Sequence, residues 1–568
     1  MKNRRTKMIK LTPTPVLCGL PVLIALACLA FSPTASAADG GLPNQNTAEG
    51  TGALSSLTTG ANNTAAGFNA LHSLATGSES TATGSLALFN DTFGTNTAYG
   101  FSALYSNTTG AYNTATGRNA LFSNATGTNN TATGGAALFS NTGGSYNTAH
   151  GRYALYSNTT GENNTANGAF ALYMNTEGPF NTASGYQALF SNTTGTGNTA
   201  NGSGALLGNT TGNFNTATGY YALPSSIGSE ANTADGAFAL SKNTGAENTA
   251  SGFAALNNNT IGFANTANGS FALWTNTTGN VNTATGQNAM YNNTTGFLNT
   301  ATGGGALGGN TTGAYNTANG FGALGGNTTG AYNTATGGGA LGGFFTNGTN
   351  NIAVGFNAGF NLTTGNNNID IGNPGVAGDG RRIRIGTAGT QNATFIAGIF
   401  GATAANGVQV VVGPNGKLGT IPSSKRFKDQ IKPMDKASEA ILALQPVTFS
   451  YKEEIDPDGI PQFGLIAEEV EKVHPDLVAR DEEGKVYTVR YEAVNAMLLN
   501  EFLKEHRTVQ QQQAEIAQLK GQVAELKSDF GPKVAQQQKQ IEALTATVER
   551  VSDQIVLRKP APQLVTNP

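Results

Sequence analysis

The sequence predicts a mainly β protein: a long β-solenoid or β-roll rod, then a small β-module, an α+β domain and a C-terminal coiled coil. Three observations carry this. Asn-Thr-Ala or a close variant begins at 18 positions between residues 46 and 333, in steps of 17 residues twice shortened to 16. Charge is segregated: of the 31 Lys and Arg and 34 Asp and Glu, 42 lie beyond residue 420, five lie in the first ten residues and only 18 fall between. From Tyr491 onward apolar residues recur at heptad spacing. The 568 residues suffice for three or four ordinary domains, and the uneven mixture argues against a single evenly composed globular enzyme. A net charge of −3 leaves no basic footprint for nucleic acid, and four scattered His argue against a histidine metal cluster. Neither a nucleic-acid partner nor a metal or other cofactor is expected.

Residues 1–37 read as an export signal. Lys2, Arg4, Arg5, Lys7 and Lys10 form a basic leader, Val22 to Phe31 an apolar run, and Ala35-Ser36-Ala37 the small residues that precede cleavage. A membrane anchor needs roughly 20 apolar residues, and Pro21 interrupts this run; a lipoprotein site at Cys28 fits Ala25 and Leu26 poorly. Cys18 and Cys28 both lie in the leader, so the mature chain is expected to carry neither a disulfide nor a thiol nucleophile. Secretion or display at the cell surface follows, with no integral membrane segment after the signal is removed.

The repeat fills residues 38–365. Its consensus, N-T-A-x-G-x-x-A-L-x-x-N-T-T-G-x-x, is well displayed by Asn282 to Leu298, and an altered copy stands at Asn351-Ile352-Ala353-Val354-Gly355. Recurrent Gly, Asn and Thr disfavour helix. Asn-Thr-Thr-Gly suits a tight turn, and the stretches around Thr-Ala-x-Gly and Ala-Leu admit only short strands. Short strands and turns at a fixed period predict one coil per repeat, and 18 coils at strand spacing make a rod roughly 85 Å long.

An interior of Ala, Gly and one Leu per coil, as at Leu155, Leu172, Leu189 and Leu206, gains little at about 25 cal/mol per Å² against an ordering cost near 1 kcal/mol per residue. Two remedies are expected: hydrogen-bonded ladders of Asn and Thr between coils, and association of three chains along the axis. The repeat resembles the head repeats of trimeric autotransporter adhesins, which use a different period.

Other uses of the rod are less well supported. Turn chemistry explains the many N-x-[ST] sequences without glycosylation. Ice-binding Thr rows are disfavoured on the ground that the Thr residues lie beside turns. Tyr112, Phe180, Phe214, Trp274 and Tyr315 are suited to sugar stacking or to filling gaps between coils or chains, and a cell-surface glycan or protein is the open candidate for the rod's ligand. Carboxylates such as Glu162, Glu177 and Asp235 are too sparse for a paired-carboxylate glycosidase.

Residues 366–420 read as a β-rich connector, with strands at Ile369-Asp370-Ile371, Arg382 to Ile385, Thr394 to Ile396 and Val408 to Val412, and a hairpin turn at Asn415-Gly416 before Leu418. Residues 421–507 read as the α+β domain. Asp435 to Leu444 and Leu465 to Val473 are helix-like, Val447 to Tyr451 strand-like, and Gly484 to Arg490 a hairpin arm. Residues 508–568 continue a coiled coil whose seam holds Phe502, Val509, Ile516, Val523 and Phe530 with Leu498, Leu519 and Leu526; Glu505 and Gln512 are polar exceptions. Gly531-Pro532 is expected to break the helix before the seam resumes at Val534, Ile541 and Leu544.

At the junction stand Ser423-Ser424-Lys425-Arg426-Phe427-Lys428, then Leu444-Gln445-Pro446-Val447, Phe449-Ser450-Tyr451 and Phe463-Gly464-Leu465-Ile466-Ala467-Glu468-Glu469-Val470. In this order they resemble the intramolecular chaperone domain of phage endosialidase tailspikes and tail fibres, a domain type also found in myelin regulatory factor. The resemblance covers Ile421 to Arg507. It implies a trimeric folding helper that releases itself by autoproteolysis. The family motif S-D-x-R-x-K supplies a serine nucleophile and a lysine general base, which fall on Ser423 and Lys428, with the cut between Pro422 and Ser423. Ser424 stands where the family has Asp, which leaves open both the efficiency of cutting and the choice between the two serines.

The chemistry constrains the geometry. A serine hydroxyl attacks only when a neighbouring base takes its proton, and a lysine does so only where its surroundings disfavour its charged form; Lys425, Arg426, Lys428 and Lys432 form a cationic cluster. Five residues along a helix turn about 500°, leaving the two side chains about 140° apart, and on one strand they face opposite sides. A bend or a neighbouring chain must therefore complete the pair. The plain alternative is that Ser423 caps a helix starting near Arg426. Glu468, Glu469 and His474 are expected to be exposed rather than to add an acid or base. Two functions stay open: a secreted trimeric fibre or adhesin whose tail assembles it and then cuts itself off, and a structural or adhesion protein whose tail only trimerises. A carbohydrate-degrading enzyme has no residue support.

Overall fold

The computed structural model describes residues 42–557 except 400, 403 and 482, so the expected export signal at residues 1–37 and the last eleven residues lie outside the described residues. The described residues fall into two compact units that divide between Phe395 and Ile396.

The first unit is a solenoid. Twenty-one strands of three residues, β1 (Thr47–Glu49) through β18 (Thr334–Thr336), β19 (Ile352–Val354), β20 (Ile369–Ile371) and β21 (Ile383–Ile385), stack into one parallel sheet in chain order. In β1–β18 each strand is Thr-Ala-x, and equivalent positions pair coil to coil, as in Thr148↔Thr165 and Ala149↔Ala166. Alternation turns Ala inward and both neighbours outward.

The coil Asn164–Phe180 shows the interior. Ala166, Ala171 and Leu172 are fully buried, and so are two amides, Asn164 and Asn175. Asn164 Oδ1 accepts the Asn181 amide at 2.9 Å and its Nδ2 donates to the Gly178 carbonyl at 2.9 Å. Asn175 Nδ2 donates to Asn158 Oδ1 at 2.8 Å and to the Gly178 carbonyl at 3.0 Å. Outside the core, Thr176 Oγ1 donates to the Thr193 carbonyl at 3.2 Å. Each coil thus hands hydrogen bonds to the next, and buried amides supplement the thin apolar core.

The tight coil requires left-handed backbone at Phe170, Leu172 and Phe180 (φ 61°, 51° and 60°), a conformation that costs L-residues roughly 1–2 kcal/mol each. At Gly168 only glycine fits: φ is 139°, and a Cβ would lie 2.5 Å from the Gly185 carbonyl oxygen. The Thr of Asn-Thr-Thr-Gly does lie beside a turn, as expected. The Thr of Asn-Thr-Ala instead lies on the strand facing outward, so the stated objection to Thr rows does not hold for that column.

The rod's sheet extends beyond residue 365. β20 and β21 pair in parallel onto β19 through Ile352↔Ile369 and Ile369↔Ile383, so the first two strands read as connector are further coils of the solenoid, the second of them after a shortened step. Thr394 to Ile396 is not a strand.

In the second unit β22 (Val411–Val412) and β23 (Leu418–Gly419) form an antiparallel hairpin turned at Gly416, φ 74°. β24 (Val447–Phe449) pairs antiparallel with β25 (Gln462–Gly464), and β26 (Val478–Arg480) with β27 (Val486–Val489). Asp435–Ala443 is a 3₁₀ helix, and α1 spans Ala467–Val473. Val470, Leu477, Val478, Val489 and Met497 form a small core. α2 runs unbroken over Tyr491–Val556, about 100 Å, and its residues beyond Lys504 are all exposed. The expected break at Gly531-Pro532 does not occur: proline removes one backbone bond, and turns on both sides hold the rest.

Candidate active site

The junction segment is organised by one turn. Ser424 is extended (φ −63°, ψ 141°), Lys425–Phe427 makes a single 3₁₀ turn, and Lys428 is extended again (φ −126°, ψ 132°). The Phe427 and Lys428 amides donate to the Ser424 and Lys425 carbonyls at 3.0 and 3.1 Å. Residues three apart eclipse in such a turn, so the chain leaves beneath the point where it entered. Lys428 reaches back, and its Nζ donates to Ser423 Oγ at 3.3 Å. Ser423 is paired with this lysine rather than capping a helix, and no side chain caps the turn.

Pro422, Ser423, Ser424 and Lys428 are all exposed. The Arg426 guanidinium lies 4.6 Å from the Phe427 ring centre. Lys425, Arg426, Lys428 and Lys432 join no ion pair among the described residues. Chemically, a lysine amine at this distance can accept the hydroxyl proton once it is uncharged. The Pro422 carbonyl that Ser423 would attack is one bond from the Ser423 amide nitrogen.

Around this segment the downstream motifs build the domain. Phe449 on β24 and Gly464 on β25 face Tyr491 of α2, whose phenol oxygen accepts the Leu465 amide at 3.0 Å. A Cβ on Gly464 would lie 2.9 Å from that oxygen and 3.2 Å from the Phe449 ring. An apolar groove of about 660 Å³ lies beside them, lined by Leu444, Val447, Phe463, Leu465, Val494 and Leu498 among others. Glu468 and Glu469 are exposed, and Glu469 pairs with Lys472 at 2.7 Å. His474 is half-buried, and its Nδ1 is buried without a hydrogen-bond partner.

Sequence reasoning missed a second serine–lysine contact. Buried Ser438 receives hydrogen bonds from Asn500 Nδ2 at 2.6 Å and Lys504 Nζ at 3.3 Å, and its own hydroxyl donates to Glu501. Hydrogen bonding to Lys504 holds the Glu501 carboxyl below its usual range, and the same bond holds Lys504 above its own. A lysine kept charged is the opposite of a base, so this group clamps the 3₁₀ helix to α2 rather than activating Ser438. Only the sequence distance of more than 60 residues hid it.

In the rod, Tyr112, Phe180, Phe214 and Tyr315 are exposed, while Trp274 is half-buried and stacks on Tyr291 at 5.1 Å. Trp274 shares its column, the position after the buried Leu, with a longer ordered aromatic strip nearer the amino terminus. His72, Phe89, Tyr105, Phe122, Phe139, Tyr156, Tyr173 and Phe190 stack at 5.0–5.3 Å with interplanar angles of 4–10°. Neighbouring rings cover each other's faces, so this strip stiffens the rod and offers a sugar no inner ring face on which to lie. Its sequence signal was the 17-residue recurrence of an aromatic after Ala-Leu.

Residues 423–479 match the family model described as chaperone of endosialidase, and the match begins at Ser423. No curated protein and no solved structure matches the chain.

Proposed function

We propose that the chain is a secreted trimeric fibre or adhesin-like surface protein whose tail domain guides assembly and then cuts itself off between Pro422 and Ser423. The observation that carries the reading is the 3.3 Å approach of Lys428 Nζ to Ser423 Oγ within a segment that matches a chaperone family. Ser423 Oγ attacks the Pro422 carbonyl carbon as its proton passes to uncharged Lys428 Nζ. The peptide C–N bond breaks, and the proton passes on to the Ser423 nitrogen. Water then hydrolyses the ester, leaving a Pro422 carboxylate and a free Ser423 amino terminus.

Trimerisation draws support from α2, whose heptad residues Val509, Ile516, Val523 and Leu526 are exposed and gain burial only against other copies. Assembly would also shield the exposed lysine from water, coupling cutting to correct association. A second reading, a tail that trimerises without cutting, is favoured by the exposure of Ser423 and Lys428, which leaves the pair open to water. Mass spectrometry of purified protein distinguishes them. A fragment beginning at Ser423 and lost in Ser423→Ala, Lys428→Ala and Lys428→Arg supports self-cleavage; intact wild-type chain after prolonged incubation of the assembled trimer supports the second reading.

A further inference from the structure

The last three coils of the rod carry aliphatic residues on the outside of their strands, and the last two also carry charge on the inside. Through β18 the inward strand residue is Ala, and no outward position carries Ile or Val. In β19–β21 the outward positions are Ile352 and Val354, Ile369 and Ile371, Ile383 and Ile385, and pairing sets them in two columns of three. Ile383 and Ile385 are each 70% exposed, and Ile352, Val354 and Ile371 about 40%. The inward positions become Ala353, Asp370 and Arg384. Arg384 pairs with Asp379 at 2.6 Å, and Asp370 Oδ2 is buried without a hydrogen-bond partner.

An inward charge ends the solenoid core and protects the terminal strand from stray pairing. It does not explain why the aliphatic residues moved outside. β-Branched residues on one face of a sheet mark the face that packs, and here that face is the outer one.

We propose that this face is an interface between copies of the same chain, and that it keeps the rod trimeric after the tail has left. The inference rests on the assembly and release proposed above. Other copies are the occupant because the unpartnered seam of α2 calls for them, and each brings the same three coils with it. Closed symmetric assemblies join identical patches in this way. Once the chain is cut before Ser423, α2 no longer holds the rods together, and a strand face of Thr rows adds no apolar attraction. The six aliphatic residues of β19–β21 stay with the rod.

The test uses the full chain carrying Ile383→Asn and Ile385→Asn. Both positions are largely exposed, so far-ultraviolet circular dichroism is expected to match wild type. After release, the wild-type rod is expected to sediment as a trimer and the double variant as a monomer, while the uncut variant stays trimeric through its tail. A protease site inserted between Thr420 and Ile421 releases the rod if self-cleavage does not. A trimeric rod obtained only by that route supports this inference and removes self-cleavage from the function. As a second measurement, Ile385→Cys in the mature, cysteine-free chain is expected to give interchain disulfides on oxidation. A monomeric wild-type rod after release, a trimeric double-variant rod, or no interchain disulfide would overturn the proposal.

Discussion

Asp91 ends the inner amide column. In the coils after it that position is Asn107, Asn124, Asn141 and so on to Asn209, each donating to the oxygen of the coil before, until buried Ser226 interrupts the column, which resumes at Asn243; Leu74 lies behind Asp91. A carboxylate accepts from Asn107 Nδ2 at 2.7 Å and from Asn96 Nδ2 at 3.3 Å without needing an acceptor of its own. Burial pushes its pKa from 3.8 to about 6, against the opposing pull of the Asn107 and Asn96 hydrogen bonds. The folded state therefore holds a proton that the unfolded chain releases near pH 3.8. Stability contributed here is fully present below that pH, falls as pH rises toward 6, and is flat above, a change of about 3 kcal/mol at most. Hydrogen exchange of residues 80–107 is expected to speed up from pH 4 to pH 7 more in wild type than in Asp91→Asn, compared at matched pH. The column's other end is equally dependent on its partners: Asn327 Oδ1 is buried without a donor, and Phe345 follows. In mid-column, Asn192→Leu strands Asn175 Oδ1 and removes one of the two acceptors of Asn209 Nδ2, leaving it the Gly212 carbonyl. It is expected to cost about 2–4 kcal/mol, read as locally accelerated exchange or proteolysis within the neighbouring coils.

The strands and turns of the rod could be read from recurrence because each coil repeats the same physical problem: Gly168 shows why one position is always Gly, and Leu172 why another is always Leu or Met. β20 and β21 were read as strands but not as coils, because the inward Ala became Asp370 and Arg384 and the step into β21 shortened, removing the pattern while keeping the pairing. Ser423 and Lys428 were named only through the family motif the segment resembles, and their 3.3 Å approach depends on a 3₁₀ turn that Lys425-Arg426-Phe427 does not advertise. Ser438 with Lys504 could not be found at all, since its partners meet only after α2 packs on the 3₁₀ helix. Two elements of the tail carry direct tests. Gly464→Ala pushes a methyl against Tyr491 and Phe449, so the domain is expected to lose stability by about 1–3 kcal/mol, read as a lower melting temperature. Pro532→Ala restores a backbone donor in α2 and is expected to stabilise the helix by up to about 3 kcal/mol, read as a higher midpoint for loss of helical circular dichroism.

Ladders that run the length of the rod make its stability a sum of contacts between adjacent coils, and length becomes an independent variable. Removing residues 164–197, two units of 17, brings Asn198 onto Asn147 and Asn192's successor Asn209 onto Asn158 in the positions their predecessors held. Every column is preserved across the join: Ala, Leu, both Asn and the strand Thr. Such a rod is expected to be shorter by about 10 Å, measured by electron microscopy, with unchanged melting and an unchanged yield of the fragment beginning at Ser423. Removing residues 164–188 instead takes 25 residues, out of phase with the period. It sets Leu189 where Asn164 stood and Phe190 in place of a strand Thr, stranding buried amides beside aliphatic groups. That chain is expected to open at the join, with proteolysis concentrated near residues 147–205. Equal protease resistance of the two deletions would show that coil-to-coil register does not hold the rod together.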